Sequence, residues 1–104
     1  MKNIDDLKLE LSTYNNIRKV IGEIEIKVHS LYKNNEDYWN IMINNFDKDI
    51  SVRWHVKQQD CSFEQMVNIY FIPLVDYFKS NNDIFEIFAL LSLLQKELNN
   101  KNIK

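Results

Sequence analysis

The chain has 104 residues, 45% of them hydrophobic and 27% charged, with a formal net charge of −2. That balance belongs to one folded domain spanning residues 1–104 rather than to a disordered chain. The 13 Lys and Arg are scattered among 15 Asp and Glu, and only Arg18 and Arg53 are arginines. Nucleic-acid binding by phosphate neutralisation needs clustered cations, so no nucleic-acid partner is expected. Cys61 is the single cysteine, which excludes an internal disulfide.

The segment Met1 to Asp6 lacks the apolar core of a signal peptide, and the longest apolar stretch, Ile84 to Leu94, is broken by Glu86 and too short for a bilayer. A cytoplasmic protein with no membrane partner is therefore expected. Frequent Asn, Ile and Lys beside a lone Ala suggest AT-rich coding, common in bacteria and phages. One Gly and one Pro leave few strained turns.

Residues 3 to 33 read as helix. Asn3 is a capping residue, and Asp5 and Asp6 fall in the first turn, where the helix dipole favours negative charge. Ile4, Leu7, Leu11 and Tyr14 follow three-four spacing, as do Ile17, Ile21, Ile24, Val28 and Leu31. The second stripe is rotated from the first, so a break is expected around Ser12 to Asn16. A strand from Glu23 to Ser30 competes, because Ile24, Ile26 and Val28 alternate with charged residues. Only Ile26 fits the strand better, and the helix is preferred.

The middle segment is less helical. Ile50 to Val56 alternates apolar and polar residues of β-favouring type. Trp39 to Ile43 can pair with it across Asn44 to Asp49, and a short helix from Glu36 to Phe46 is the alternative. Residues 62 to 79 form the clearest helix, because Ser62-Phe63-Glu64-Gln65 is a capping box followed by an apolar face from Phe63 to Phe78. Pro73 removes the donor for the Ile69 carbonyl, so a kink is expected there. Residues 83 to 99 make the last helix, with Ile84, Ile87, Phe88, Leu91, Leu94 and Leu98 on one face and Phe85, Ala89 and Leu93 on a second. A helix apolar on two sides is central in its fold or covered by another molecule. The fold class expected is mainly α, a small helical bundle, with one short β-hairpin at about 39–57 as the α+β variant.

Candidate chemistry is sparse. His29 and His55 stand 26 residues apart without metal-ligand spacing. Asp47-Lys48-Asp49 has Val52 and Gln58 where a calcium loop needs Gly and Glu. Cys61, His55 and Asp60 are near in sequence, but no oxyanion turn accompanies them and the helix cap accounts for Cys61. One glycine excludes phosphate loops. No catalytic, cofactor or metal residues are therefore expected, and the chain reads as a non-enzyme. Tyr38, Trp39 and Trp54 lie beside Glu36, Asp37, Asp47 and Asp49, a combination typical of protein contacts. The competing reading places both tryptophans in the core.

The function expected is a small inhibitor that occludes a partner protein's active surface through Glu36, Asp37, Tyr38, Trp39, Asp47, Asp49 and Trp54. A toxin-immunity protein, acting on a toxin domain encoded nearby, or a phage-encoded inhibitor would fit. The alternative is a non-catalytic homo-oligomer, paired as a homodimer through Phe85, Ala89 and Leu93.

Overall fold

Ile24, Ile26 and Val28 are 2%, 0% and 1% exposed, while Lys27 and His29 at alternate positions are half-buried and Glu25 is the one polar residue of the run that is buried. That period of two is a strand lying against a one-sided core. The computed structural model describes residues 16–102 and shows four strands, β1 (Ile17–Ile21), β2 (Ile24–Lys33), β3 (Glu36–Asn45) and β4 (Ile50–Lys57). They form one antiparallel sheet in the order β1-β2-β3-β4. A helical layer follows. Helix α1 runs without a break through Phe63–Gln65, Met66–Phe71 and Ile72–Ser80, and α2 spans Ile87–Asn102 after a 3₁₀ turn at Ile84–Glu86. The protein is an α+β fold, and the expected small helical bundle is not what the chain forms.

The correction falls mainly on residues 17 to 33. The steps Ile17 to Ile21 and Ile24 to Val28 are even, so they keep one face of a strand as readily as one face of a helix. The odd step, Ile21 to Ile24, is where the chain turns. Gly22 adopts φ +58° there, a conformation that costs an L side chain about 1–2 kcal/mol. Ile21 and Ile24 then stand opposite each other in the β1–β2 register. The first half of the expected helix, with Ile4, Leu7, Leu11 and Tyr14, lies outside the described residues.

Asn34 and Asn35 sit at φ 56° and 63°, the left-handed pair that a two-residue type I′ hairpin loop requires. β2 and β3 therefore pair along their full length, from Lys33↔Glu36 to Ile24↔Asn45. The alternative helix from Glu36 to Phe46 does not form. β3 and β4 pair from Tyr38↔Lys57 to Asn45↔Ile50, so the short hairpin expected at about 39–57 is half of a larger meander. Its loop is closed by Asn45, whose Oδ1 accepts from Lys48 N at 3.0 Å.

Ser62 and Gln65 make a full capping box at the start of α1: Ser62 Oγ accepts from Gln65 N at 3.1 Å and Gln65 Oε1 accepts from Ser62 N at 3.0 Å. The irregularity at Pro73 appears as π-type spacing over Met66–Phe71, where Ile72 N donates to the Val67 carbonyl. The proline ring crowds the carbonyl four residues back, Ile69, which lies in that stretch. Met66, Tyr70, Phe71 and Leu74 of α1 and Ile87, Leu91 and Leu98 of α2 are fully buried with Ile26, Ile41 and Ile43 of the sheet. Each such side chain contributes about 2 kcal/mol of burial. One sheet face is thus sealed by helices. No helix among the described residues is long and apolar enough to cross a membrane.

Candidate functional site: the open face of the sheet

Strand alternation sends every second side chain to the face away from the helices. The registers Arg18↔Lys27, Lys27↔Met42 and Met42↔Arg53 make one row across the open face. His29↔Asn40 and Asn40↔His55 make the next. Leu31, Tyr38 and Lys57 make a third, and Lys33 pairs with Glu36 beyond it. Five cations, Arg18, Lys27, Lys33, Arg53 and Lys57, thus share this face with two carboxylates, Glu25 and Glu36. The other described residues carry five cations and ten carboxylates.

The two histidines flank Asn40 on this face. The Ser30 carbonyl can only accept, so His29 Nδ1 donates to it at 3.0 Å and carries the ring proton. His29 Nε2 is then left to accept from Asn40 Nδ2 at 3.0 Å. Asn40 is 6% exposed, and its Oδ1 is buried without a hydrogen-bond partner among the described residues. On the far side, Lys33 Nζ donates to His55 Nδ1 at 3.5 Å and lies 5.8 Å from the centre of the Tyr38 ring. Burial holds His55 below the ordinary imidazole range, and the charges of Lys33 and Arg53 add to the effect. The imidazole is therefore neutral near pH 7.

Glu25 anchors the other end. It pairs with Arg18 and accepts from Asn44 Nδ2 at 2.8 Å, while Asn44 Oδ1 accepts from Ser51 Oγ. Burial alone would raise the Glu25 carboxyl. The hydrogen bonds from Arg18 and Asn44, with the charges of Arg18 and Lys27, outweigh it and hold the group below the usual carboxylate range. Glu36 is 3.7 Å from Lys57 Nζ and accepts from the Tyr38 hydroxyl at 3.3 Å. Each carboxylate on the face is thus engaged by a cation, and Lys27 and Arg53 stand in the row between them.

The contact surface expected from sequence is not assembled. Glu36, Asp37 and Tyr38 open β3, whereas Asp47 and Asp49 occupy the loop after its far end, roughly 30 Å away at strand rise. Trp39 is 3% exposed; its indole packs on Phe63 at 5.7 Å and donates to the Cys61 carbonyl at 2.8 Å. Trp54 is half-buried against the core, and its Nε1 donates to Gln95 Oε1 at 3.4 Å. Both tryptophans face the helices. Of the expected residues, Tyr38 and Glu36 belong to the open face.

The cations were missed because their gathering is a property of parity, and parity has meaning only once the strands are known. The usable signal was the alternation Glu25, Lys27, His29 outward against Ile24, Ile26, Val28 inward.

Cys61 is 1% exposed, and burial with the charge of Asp60 pushes its thiol up to about 12. A protonated, enclosed thiol is no nucleophile, and His55 lies on the opposite side of the sheet. A cleft of about 370 Å³ between Gly22, Asn45, Lys48 and Lys79 opens broadly to solvent. Small-molecule sites of that size enclose most of their ligand. No family model, curated protein or solved structure matches the chain.

Proposed function

We propose that this chain is a non-catalytic protein-binding domain whose open sheet face covers a compact acidic patch on a partner protein. The observation that supports the reading is the segregation of charge: five cations and two histidines meet two carboxylates on this face, against the acidic excess elsewhere. Tyr38, Met42 and Leu31 add partly buried apolar surface among them. Tyr, Met and Arg are the residue types enriched in protein interfaces, and complementary charge steers encounter and sets register. The function is one of occlusion, an inhibitor's role, carried by a basic face rather than by the acidic residues expected from sequence.

A long polyanion is a poorer fit. Glu23, Asp47 and Asp49 stand in the turns at one end of the sheet and Asp37 and Asp60 near the other. A nucleic-acid backbone running off the face would meet those carboxylates, whereas a bounded acidic patch would not.

The test is fluorescence anisotropy with a labelled short polyglutamate peptide and an oligothymidylate of equal charge, at low salt. Saturable binding of the peptide, abolished by Lys27→Glu with Arg53→Glu, is expected, with weaker binding of the oligonucleotide. Equal peptide binding by the charge-reversed variant, or tighter binding of the oligonucleotide, would sink the proposal.

A further inference from the structure

We propose that the partner's acidic patch is built on an extended segment that adds to the outer edge of β4 as a further strand of the sheet, its carboxylates at alternate positions. The inference rests on the proposed binding of an acidic partner and names the backbone that carries it. Phe46 N donates to the Glu23 carbonyl at 2.9 Å, so Glu23 and Phe46 are a hydrogen-bonded pair. Such pairs recur at every second residue of an antiparallel ladder. The β2–β3 register therefore turns the backbones of Tyr38, Asn40, Met42 and Asn44 toward β2 and those of Trp39, Ile41, Ile43 and Asn45 toward β4. Their partners Val56, Trp54, Val52 and Ile50 spend their backbone groups on β3. The N–H and C=O groups of Ser51, Arg53, His55 and Lys57 then point away from the sheet. β4 is last in the strand order, and no backbone group among the described residues bonds to them. All four residues are exposed.

An uncovered edge is a template for another strand. The opposite edge is shorter, because β1 turns only Arg18 and Val20 outward. β4 contains no bulge, no proline and no carboxylate. Its outward residues include Arg53 and Lys57, whose side chains share the open face with His55 between them. A second copy of β4 would bring cations against cations, and like charges directly opposite destabilise a sheet. Charge complementarity selects an acidic strand instead. Carboxylates four residues apart would stand beside Arg53 and Lys57, with a polar residue beside His55. The residues between them fall on the helical side, next to the half-buried Ile50 and Trp54, where β-branched side chains fit. Main-chain bonds then hold the partner while the paired charges fix its register, which is recognition by strand addition. An acidic patch laid on the face from above would use the charges alone.

The test is fluorescence anisotropy with a labelled peptide of alternating Glu and Thr, as long as β4. Two further versions carry methyl groups on the backbone nitrogens of the Glu residues or of the Thr residues, with charge and length unchanged. In an added strand the N–H groups of alternate residues bond to β4 and the others face solvent. One methylated version should therefore bind at least about tenfold more weakly than the other. Equal affinities of the two versions, kept or lost together, would overturn the proposal. His55→Pro removes an outward N–H at an edge position, where proline leaves the ladder to β3 intact. With a native circular-dichroism spectrum, this variant should bind the unmodified peptide about tenfold more weakly, and His55→Ala should not; binding unchanged by His55→Pro would count equally against strand addition. Amide hydrogen exchange locates the contact. Ser51, Arg53, His55 and Lys57 should exchange fast in the free chain and slowly with the peptide bound. Protection already present in the free chain would show the edge held by another part of the chain or by a second copy, and would refute the inference. Binding of polyglutamate without a difference between the methylated versions ends strand addition alone, whereas binding of no acidic peptide ends the proposed function with it.

Discussion

The indole N–H of Trp39 donates to the Cys61 carbonyl at 2.8 Å, tying the third strand to the turn that starts the helical layer. The bond explains why an apparently interfacial tryptophan is only 3% exposed. Trp39→Phe keeps the ring packing on Phe63 but leaves a buried carbonyl without its donor, which costs about 1–3 kcal/mol. Trp39→Ala also opens a cavity and should cost about 3–5 kcal/mol. Urea denaturation measures both. If Trp39→Ala left the midpoint unchanged, the residue would not be part of the core.

Asn40 sits in the middle of the sheet with a buried acceptor that no described residue satisfies. Asn40→Val removes that acceptor and supplies a β-branched side chain suited to a central strand. The variant should be as stable as the native protein or more so, by up to about 1 kcal/mol, while His29 Nε2 loses its donor. Binding of the polyglutamate probe alongside the denaturation curve separates the two effects. A loss of stability would show that the Asn40 amide is satisfied in solution.

Acid should weaken the fold in two stages. His55 and Glu25 are both held below their ordinary values in the folded chain. The unfolded chain therefore takes up protons more readily than the folded one at both sites. Their stabilisation is fully present above the unfolded values and is lost as pH falls through the folded ones. His55 acts first, from about pH 6.5 downward, and Glu25 follows below about 4.3. Denaturation midpoints should decline between about pH 7 and 5, and His55→Gln should flatten that part of the profile. A midpoint constant across this range in the native chain would contradict the assigned environment of His55.

Gly22 has open space around it, with nothing within 4 Å of where a Cβ would stand. Its cost on substitution is therefore backbone strain alone. Gly22→Ala at φ +58° should destabilise by about 1–2 kcal/mol, read from the thermal midpoint, whereas Asn34→Gly in the next turn should be nearly neutral. Equal effects at the two positions would argue against the turn geometry.

The sequence alone determined the features that depend on neighbours along the chain. Ser62 and Gln65 close a capping box because both partners lie within one turn, Pro73 disturbs its own helix, and α2 shows two apolar faces because its period is continuous over four turns. The alternation from Ile50 to Val56 was likewise readable as a strand. Tertiary structure decided the rest. Ile17, Ile21, Ile24 and Val28 satisfy both helical and strand periods, and only pairing with β3 through an Asn34–Asn35 turn separates them. The candidate site was hidden for the same reason. Arg18, Lys27, Lys33, Arg53 and Lys57 are spread over three of the four strands, and a face shared across a sheet exists only when hydrogen bonding has set the register. Charge scattered in sequence became a cluster because alternate residues of paired strands point the same way, and the helices took the other side.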